Sequence, residues 1–244
     1  MKKILIALLI MIGFNSLSLN AQKTLTKPTK KAQTTQAKPH NPSKPKAGTQ
    51  NTQNTHSQFS KSHKLTGTIN GHGYVDLGLS VKWATCNVGT SSPSDYGDYF
   101  AWGETTTKSW YTSSNSVTCN KSIGDIAGNS RYDAASSKWG GTWRLPTRAE
   151  IDELIEKCER KWTIQGGHNG YLVTGSNGKS IFLPAAGWRN GSFPSKEGEY
   201  GYYWSSTPDD RGAEDAYSLY FFNDRFGEYS IYRYTGRTVR PVSK

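Results

Sequence analysis

The sequence predicts an α+β fold with few helices and many short, irregular strands, and three observations predict it. One stretch, Trp139 to Cys158, carries a full helix start and an amphipathic stripe, and little else in the chain does. Elsewhere apolar residues alternate in short runs between Gly, Asn, Asp and Ser, the pattern of half-buried strands joined by turns. All 8 Trp and 14 Tyr lie beyond residue 64, which confines the core to the C-terminal part of the chain.

The chain opens with Lys2 and Lys3, an apolar run from Ile4 to about Phe14, and Leu19-Asn20-Ala21 before Gln22. This predicts a signal peptide over residues 1–21, and so an exported protein, periplasmic, surface-bound or secreted. The apolar run is too short for a permanent span, so no integral membrane segment is expected after cleavage. Residues 22–64 contain Lys, Thr, Gln, Asn, Pro and Ser with no acid and almost no large apolar side chain, the composition of a disordered linker.

The formal net charge of +11 belongs to this N-terminal part. Residues 1–64 hold 11 lysines and no Asp or Glu, and the remaining 19 basic residues match the 19 acidic ones. A neutral domain does not read as a nucleic-acid binder, so no such partner is expected.

Residues 65–244 are then one domain. Tyr74 to Val88 alternates in pieces broken at Gly78, and a short helical turn is expected around Asp133 to Lys138. Thr147 can cap a helix with Glu150 reaching back, a capping box over 147–160. Ile151, Leu154, Ile155 and Cys158 form its buried stripe, and Arg160 and Lys161 follow its last turn. Gly175-Ser176-Asn177-Gly178 separates two apolar runs, Tyr171–Thr174 and Lys179–Leu183, as a hairpin. Further strands are expected at Tyr202–Ser206, Ala216–Phe222, Glu228–Tyr232 and Arg237–Val242. Cys86, Cys119 and Cys158 in an exported chain suggest one disulfide and one leftover thiol, with the pair undetermined.

Several segments resemble a known family. Val75 to Gly89 (VDLGLSVKWATCNVG), Tyr96 to Glu104 (YGDYFAWGE), Trp139 to Thr147 (WGGTWRLPT), Ser180 to Gly187, Tyr203 to Ser206 and Val239 to Val242 occur in the order of the "Fibrobacter succinogenes major paralogous" domain. The resemblance implies a C-type-lectin-like fold, shared with formylglycine-generating enzymes, and an exported protein of Bacteroidota. It implies no activity.

No catalytic set emerges. Formylglycine-generating enzymes use a cysteine pair near the C-terminus, and no Cys follows Cys158. Pro208-Asp209-Asp210, Glu214-Asp215 and Asn223-Asp224 echo a lectin calcium loop in part, but a solvated acidic loop accounts for them better. His72 and His168 lie in Gly-rich turns without metal-ligand spacing. Gly178-Lys179-Ser180 lacks the earlier glycine of a phosphate loop, and no Gly-x-Ser-x-Gly elbow exists. No catalytic residue, metal or cofactor is therefore expected.

The C-terminal third is rich in tyrosine, interleaved with Asn and Arg. Tyrosine offers rigid contact area with a polar tip, and its ring can stack on sugars. Alternation puts part of this set in the core. Asn223, Arg225, Tyr229, Tyr232, Arg233 and Tyr234 are the residues expected to be exposed and to bind ligand. The functional expectation is an exported, non-enzymatic module gripping an extracellular glycan or surface protein. Its rivals are a subunit of a surface assembly and a diverged formylglycine-generating-like enzyme.

Overall fold

Asn70 and Gly71 both take positive φ, 44° and 81°, the conformation of a tight hairpin turn between β1 (Gly67–Ile69) and β2 (His72–Val75). The computed structural model that shows this describes residues 65–244, so the expected signal peptide and linker lie outside the described residues. β2 pairs with β3 (Lys82–Ala84), and β3 with the last strand, β12 (Val242–Ser243), in one four-stranded sheet. The chain's two ends of the domain thus meet at Trp83, opposite Val75 on one side and Val242 on the other.

Two helices follow. α1 (Ala134–Trp139) is capped by Asp133, whose buried carboxylate accepts from the backbone of Ser136, Gly128 and Leu145. α2 (Arg148–Lys157) begins as expected: Thr147 Oγ1 accepts from Glu150 N, and Glu150 Oε2 accepts from Thr147 N at 2.9 Å. Arg144 adds two charge-assisted bonds to the same carboxylate, at 2.7 and 2.5 Å. Ile151 and Leu154 bury the predicted stripe, and Cys158 is the buried C-cap. The helix stops three residues early. Arg160 and Lys161 are not its dipole partners; they belong to β4 (Glu159–Gln165), which the sequence reading missed.

β4 pairs with β5 (His168–Thr174), and β5 with β6 (Ser180–Pro184), through the expected Gly175–Gly178 turn. Gly175 is required there: a Cβ would lie 2.0 Å from the Leu77 carbonyl oxygen. A small hairpin, β7 (Trp188–Asn190) and β8 (Phe193–Ser195), precedes a three-stranded antiparallel sheet. Its strands are β9 (Tyr200–Pro208), β10 (Asp215–Phe222) and β11 (Arg225–Tyr232), in the order β11-β10-β9. The α+β class with few helices holds.

The core has two main clusters. One gathers Trp83, α2 and the inner faces of β5, β6 and β10; the other gathers Phe100, Trp102, Trp139, Trp143 and Trp204. Buried indoles need acceptors, and three find backbone carbonyls: Trp102 at Ser205, Trp143 at Ile69 and Trp204 at Phe100.

Three expectations are corrected. Arg237–Val242 is not one strand: it runs as irregular, buried backbone joined by single bridges to Phe100, Tyr203 and Arg144, and only Val242 enters a ladder. All three cysteines are free thiols, Cys86 and Cys158 buried and Cys119 half-buried. His72 and His168 are strand residues, His72 stacked 3.8 Å on Trp139 and His168 bound through Nδ1 to the Ser94 carbonyl at 2.8 Å.

Arg240 ties this irregular segment to its surroundings. Fully buried, it donates to Asn87 Oδ1, to the carbonyls of Ala84 and Thr85, and to that of Phe182, at 2.7 to 3.1 Å. Arg240→Met orphans these acceptors and should lower unfolding free energy by about 3 kcal/mol or more, read from urea melts. A pH effect follows from Glu150. Burial pushes its carboxyl up, but Arg144 and the Thr147 N–H outweigh that and hold it below its ordinary 4.5. Its stabilisation is therefore complete above 4.5 and lost as pH falls through the lower folded value. Glu150→Gln should lower Tm at pH 7 and flatten the acid limb of a Tm-against-pH profile.

Candidate functional site

Alternation along β9, β10 and β11 sorts their side chains onto two faces. Tyr203, Leu219 and Phe221 point into the core. On the other face Tyr202 and Tyr220 sit opposite each other with ring centroids 4.8 Å apart, and Tyr229 continues the row at 6.0 Å from Tyr220. Tyr200 and Phe222 form a second rung, 5.3 Å apart. Trp188 of β7 closes one side, 5.4 Å from Tyr202. Exposure rises across the row: Tyr202 is buried, Tyr220 half-buried, and Tyr229 is 55% exposed. The result is an aromatic face that opens toward the edge strand β11.

At that edge lies a cleft of about 860 Å³, between the start of α2 and the loop joining β9 to β10. Thr207 Oγ1 accepts from Arg148 N, which fixes the helix start against β9. Arg148 holds Glu228 through two bonds and lies 3.9 Å over the Tyr217 ring. Across the cleft, Arg211 donates to both oxygens of Asp209, at 2.6 to 3.2 Å. The Arg211 guanidinium holds the Asp209 carboxyl well below the usual carboxylate range. Burial, and then the charges of Asp209 and Glu214, push Asp215 up, and its Oδ1 has no hydrogen-bond partner among the described residues.

Such a cleft presents fixed donor–acceptor pairs beside tyrosine rings. Its two ion-paired carboxylates, Glu228 and Asp209, each accept from an arginine, and Asp215 stands beside them in the same cleft. Among the described residues no group of three or more His, Cys, Asp or Glu is placed to hold a metal ion.

The six residues expected to bind ligand do not form one patch. Asn223 and Arg225 are exposed at the β10–β11 turn, where Phe222 pairs with Arg225. Tyr232 pairs with Asp215 at the opposite end of the ladder, about 23 Å away for seven residues of strand. Tyr232 and Tyr234 stack on each other there, 5.4 Å apart. Tyr229 alone joins both the aromatic row and the cleft.

Arg233 must be corrected outright. It is 1% exposed, stacked 4.3 Å over Trp102, and donates to the carbonyls of Asp215 and Lys121 at 2.9 Å. Its neighbours Tyr232 and Tyr234 misled the reading: past the end of β11 the chain turns inward, so strand alternation no longer applies. Arg148, Asp209, Arg211 and Tyr217 were missed as site residues. The one signal for Arg148 was its place at the first turn of a well-marked helix.

The described residues thus form an α+β domain with an aromatic face and an adjoining charged cleft. Residues 72–243 match the family model of the Lcl C-terminal domain, and the chain belongs to that family. The motif resemblance over residues 74–242 agrees with it loosely. No curated protein and no solved structure matches the chain.

Removal of Arg233 and of Tyr229 should separate scaffold from surface. Arg233→Ala leaves buried carbonyls without donors and should cost about 2–4 kcal/mol in urea unfolding. Tyr229→Ala should move the midpoint by no more than about 0.5 kcal/mol, as expected of an exposed side chain.

Proposed function

We propose that the protein is an exported, non-catalytic binding module that grips a glycan through the outer face of β9–β11 and the cleft beside it. The observation that carries this reading is Tyr229, whose exposed ring continues the tyrosine row and whose place on the edge strand β11 also lines the cleft that holds the arginine–carboxylate pairs. A pyranose needs both surfaces: an apolar C–H face to lay on an aromatic ring, and hydroxyls to exchange with paired donors and acceptors. The cleft's volume of about 860 Å³ lies within the range of small-molecule sites, about 300–1,000 Å³.

Export rests on the apolar N-terminal run after two lysines. A C-type-lectin-like fold of the major paralogous kind is supported by the Arg-Leu-Pro-Thr helix start with its capping box at Thr147 and Glu150. No described helix is long and apolar enough to cross a membrane. A second reading, a subunit of a surface assembly, is favoured by β11, which has a strand neighbour on one side only.

A glycan and surface-protein array probed with the full chain separates these readings. Capture of a glycan that falls at least about tenfold in Tyr229→Ala and in Arg148→Ala, with unchanged Tm, is the expected result. Capture untouched by both substitutions, or measured turnover of a bound sugar, refutes the reading. Light scattering on native extracts that places the chain in a large complex favours the assembly subunit.

A further inference from the structure

A second cleft, about 370 Å³, lies between the loop carrying Asp98 to Tyr111 and the β7–β8 hairpin. Its walls are tied by backbone. Tyr111 and Gly191 exchange two hydrogen bonds at 2.9 Å, and Arg189 and Gly236 exchange two more at 2.8 and 2.9 Å. The Tyr99 hydroxyl donates to the Ala186 carbonyl and the Tyr111 hydroxyl to the Tyr99 carbonyl, at 2.5 and 2.6 Å. Such a cleft is formed before any ligand arrives, which reduces the ordering cost of binding.

The charges in it are mostly spent. Lys108 Nζ sits 2.6 Å from Glu104 Oε2 and also donates to the Asn115 carbonyl. Arg189 binds Glu197 at 2.6 Å while its guanidinium lies 3.8 Å over the Tyr99 ring. Asp98 is different: it lines the cleft, its carboxylate packs against Gly89 on one side, and it makes no hydrogen bond or ion pair among the described residues. Two cations answered by three carboxylates do not invite an anion. Two exposed rings flank the lining. Trp110 is 51% exposed and stands against Gly191 of the lining, and Phe193, next in sequence to Ser192, is 72% exposed, the most exposed large hydrophobic residue among those described.

We propose that this cleft is a separate saccharide subsite taking one uncharged pyranose, its C–H face on Trp110 and two adjacent hydroxyls donating to the Asp98 carboxylate. A free carboxylate accepts two hydroxyl protons side by side, and exposed aromatic rings gain most when a sugar's apolar face covers them. The site stands on other residues than the β9–β11 face, so either can fail without the other.

The test is tryptophan fluorescence titration of the full chain with methyl α-mannopyranoside, methyl β-galactopyranoside and cellobiose, and with glucuronate as the charged counterpart. A saturable change with at least one neutral sugar is expected, weaker with glucuronate. Asp98→Asn and Trp110→Ala should each weaken the neutral sugar about tenfold or more, with Tm unchanged, while Tyr229→Ala leaves it alone. Asp98→Asn keeps the shape and removes the charge, so it should also narrow the gap between neutral sugar and glucuronate. Absence of saturable binding to all three neutral sugars overturns the proposal. So does affinity that ignores both Asp98→Asn and Trp110→Ala, and loss in Tyr229→Ala alone would assign the binding to the β9–β11 face instead.

Discussion

The buried backbone of residues 233–241 is the constraint on which the rest of this structure depends. Unpaired peptide groups away from water are costly, so a segment that crosses a core outside any ladder must find partners one by one. Here each partner lies in a different element. Val239 and Pro241 carbonyls accept from Val88 and Ala84, the Thr238 carbonyl accepts from Trp204, and Arg237 exchanges bonds with Phe100. The segment works as a seam between four small sheets, of two to four strands each.

Arginine completes the seam. Arg233 and Arg240 bury guanidinium groups and spend their donors on carbonyls rather than carboxylates. A planar fork of five donors suits this task, because it satisfies several carbonyls from different segments at once. Arg237 is handled differently: its Nε and Nη1 have no partner among the described residues, and its charge lies 3.9 Å over the Tyr202 ring. Burial lowers its pKa to about 9. Tyr202, the buried end of the tyrosine row, thus rests against a buried cation, which links the seam to the aromatic face.

Both candidate binding surfaces inherit their rigidity from this arrangement. Arg189 of the second cleft is bridged to Gly236 of the seam, and the tyrosine row stands on β9, which the seam meets at Thr238. Side chains held by such a frame lose little further freedom on binding. The exposed rings, Tyr229 at one surface and Trp110 and Phe193 at the other, are the parts the frame leaves uncovered.

Local chemistry made much of the scaffold legible in the sequence. The capping box at Thr147 and Glu150, the Gly175–Gly178 turn and the alternation of β10 each depend on residues within a few positions of one another, so their spacing declares them. Asn70-Gly71 carried an equally local hairpin signal that went unread. Tyr229 and Tyr232 are exposed as expected, although three positions apart on β11 they fall on opposite faces, so alternation alone does not account for both. What only the tertiary structure decided was the fate of Arg233, Arg237 and Arg240, and the meeting of Arg148 with Glu228 and of Asp98 with the β7–β8 hairpin. In sequence an arginine reads as surface; Arg233 and Arg240 are buried here because carbonyls from other segments converge on them, and Arg237 lies over the Tyr202 ring. Contacts across 58 to 156 positions leave no periodicity to detect, since the chain path that creates them exists only after folding.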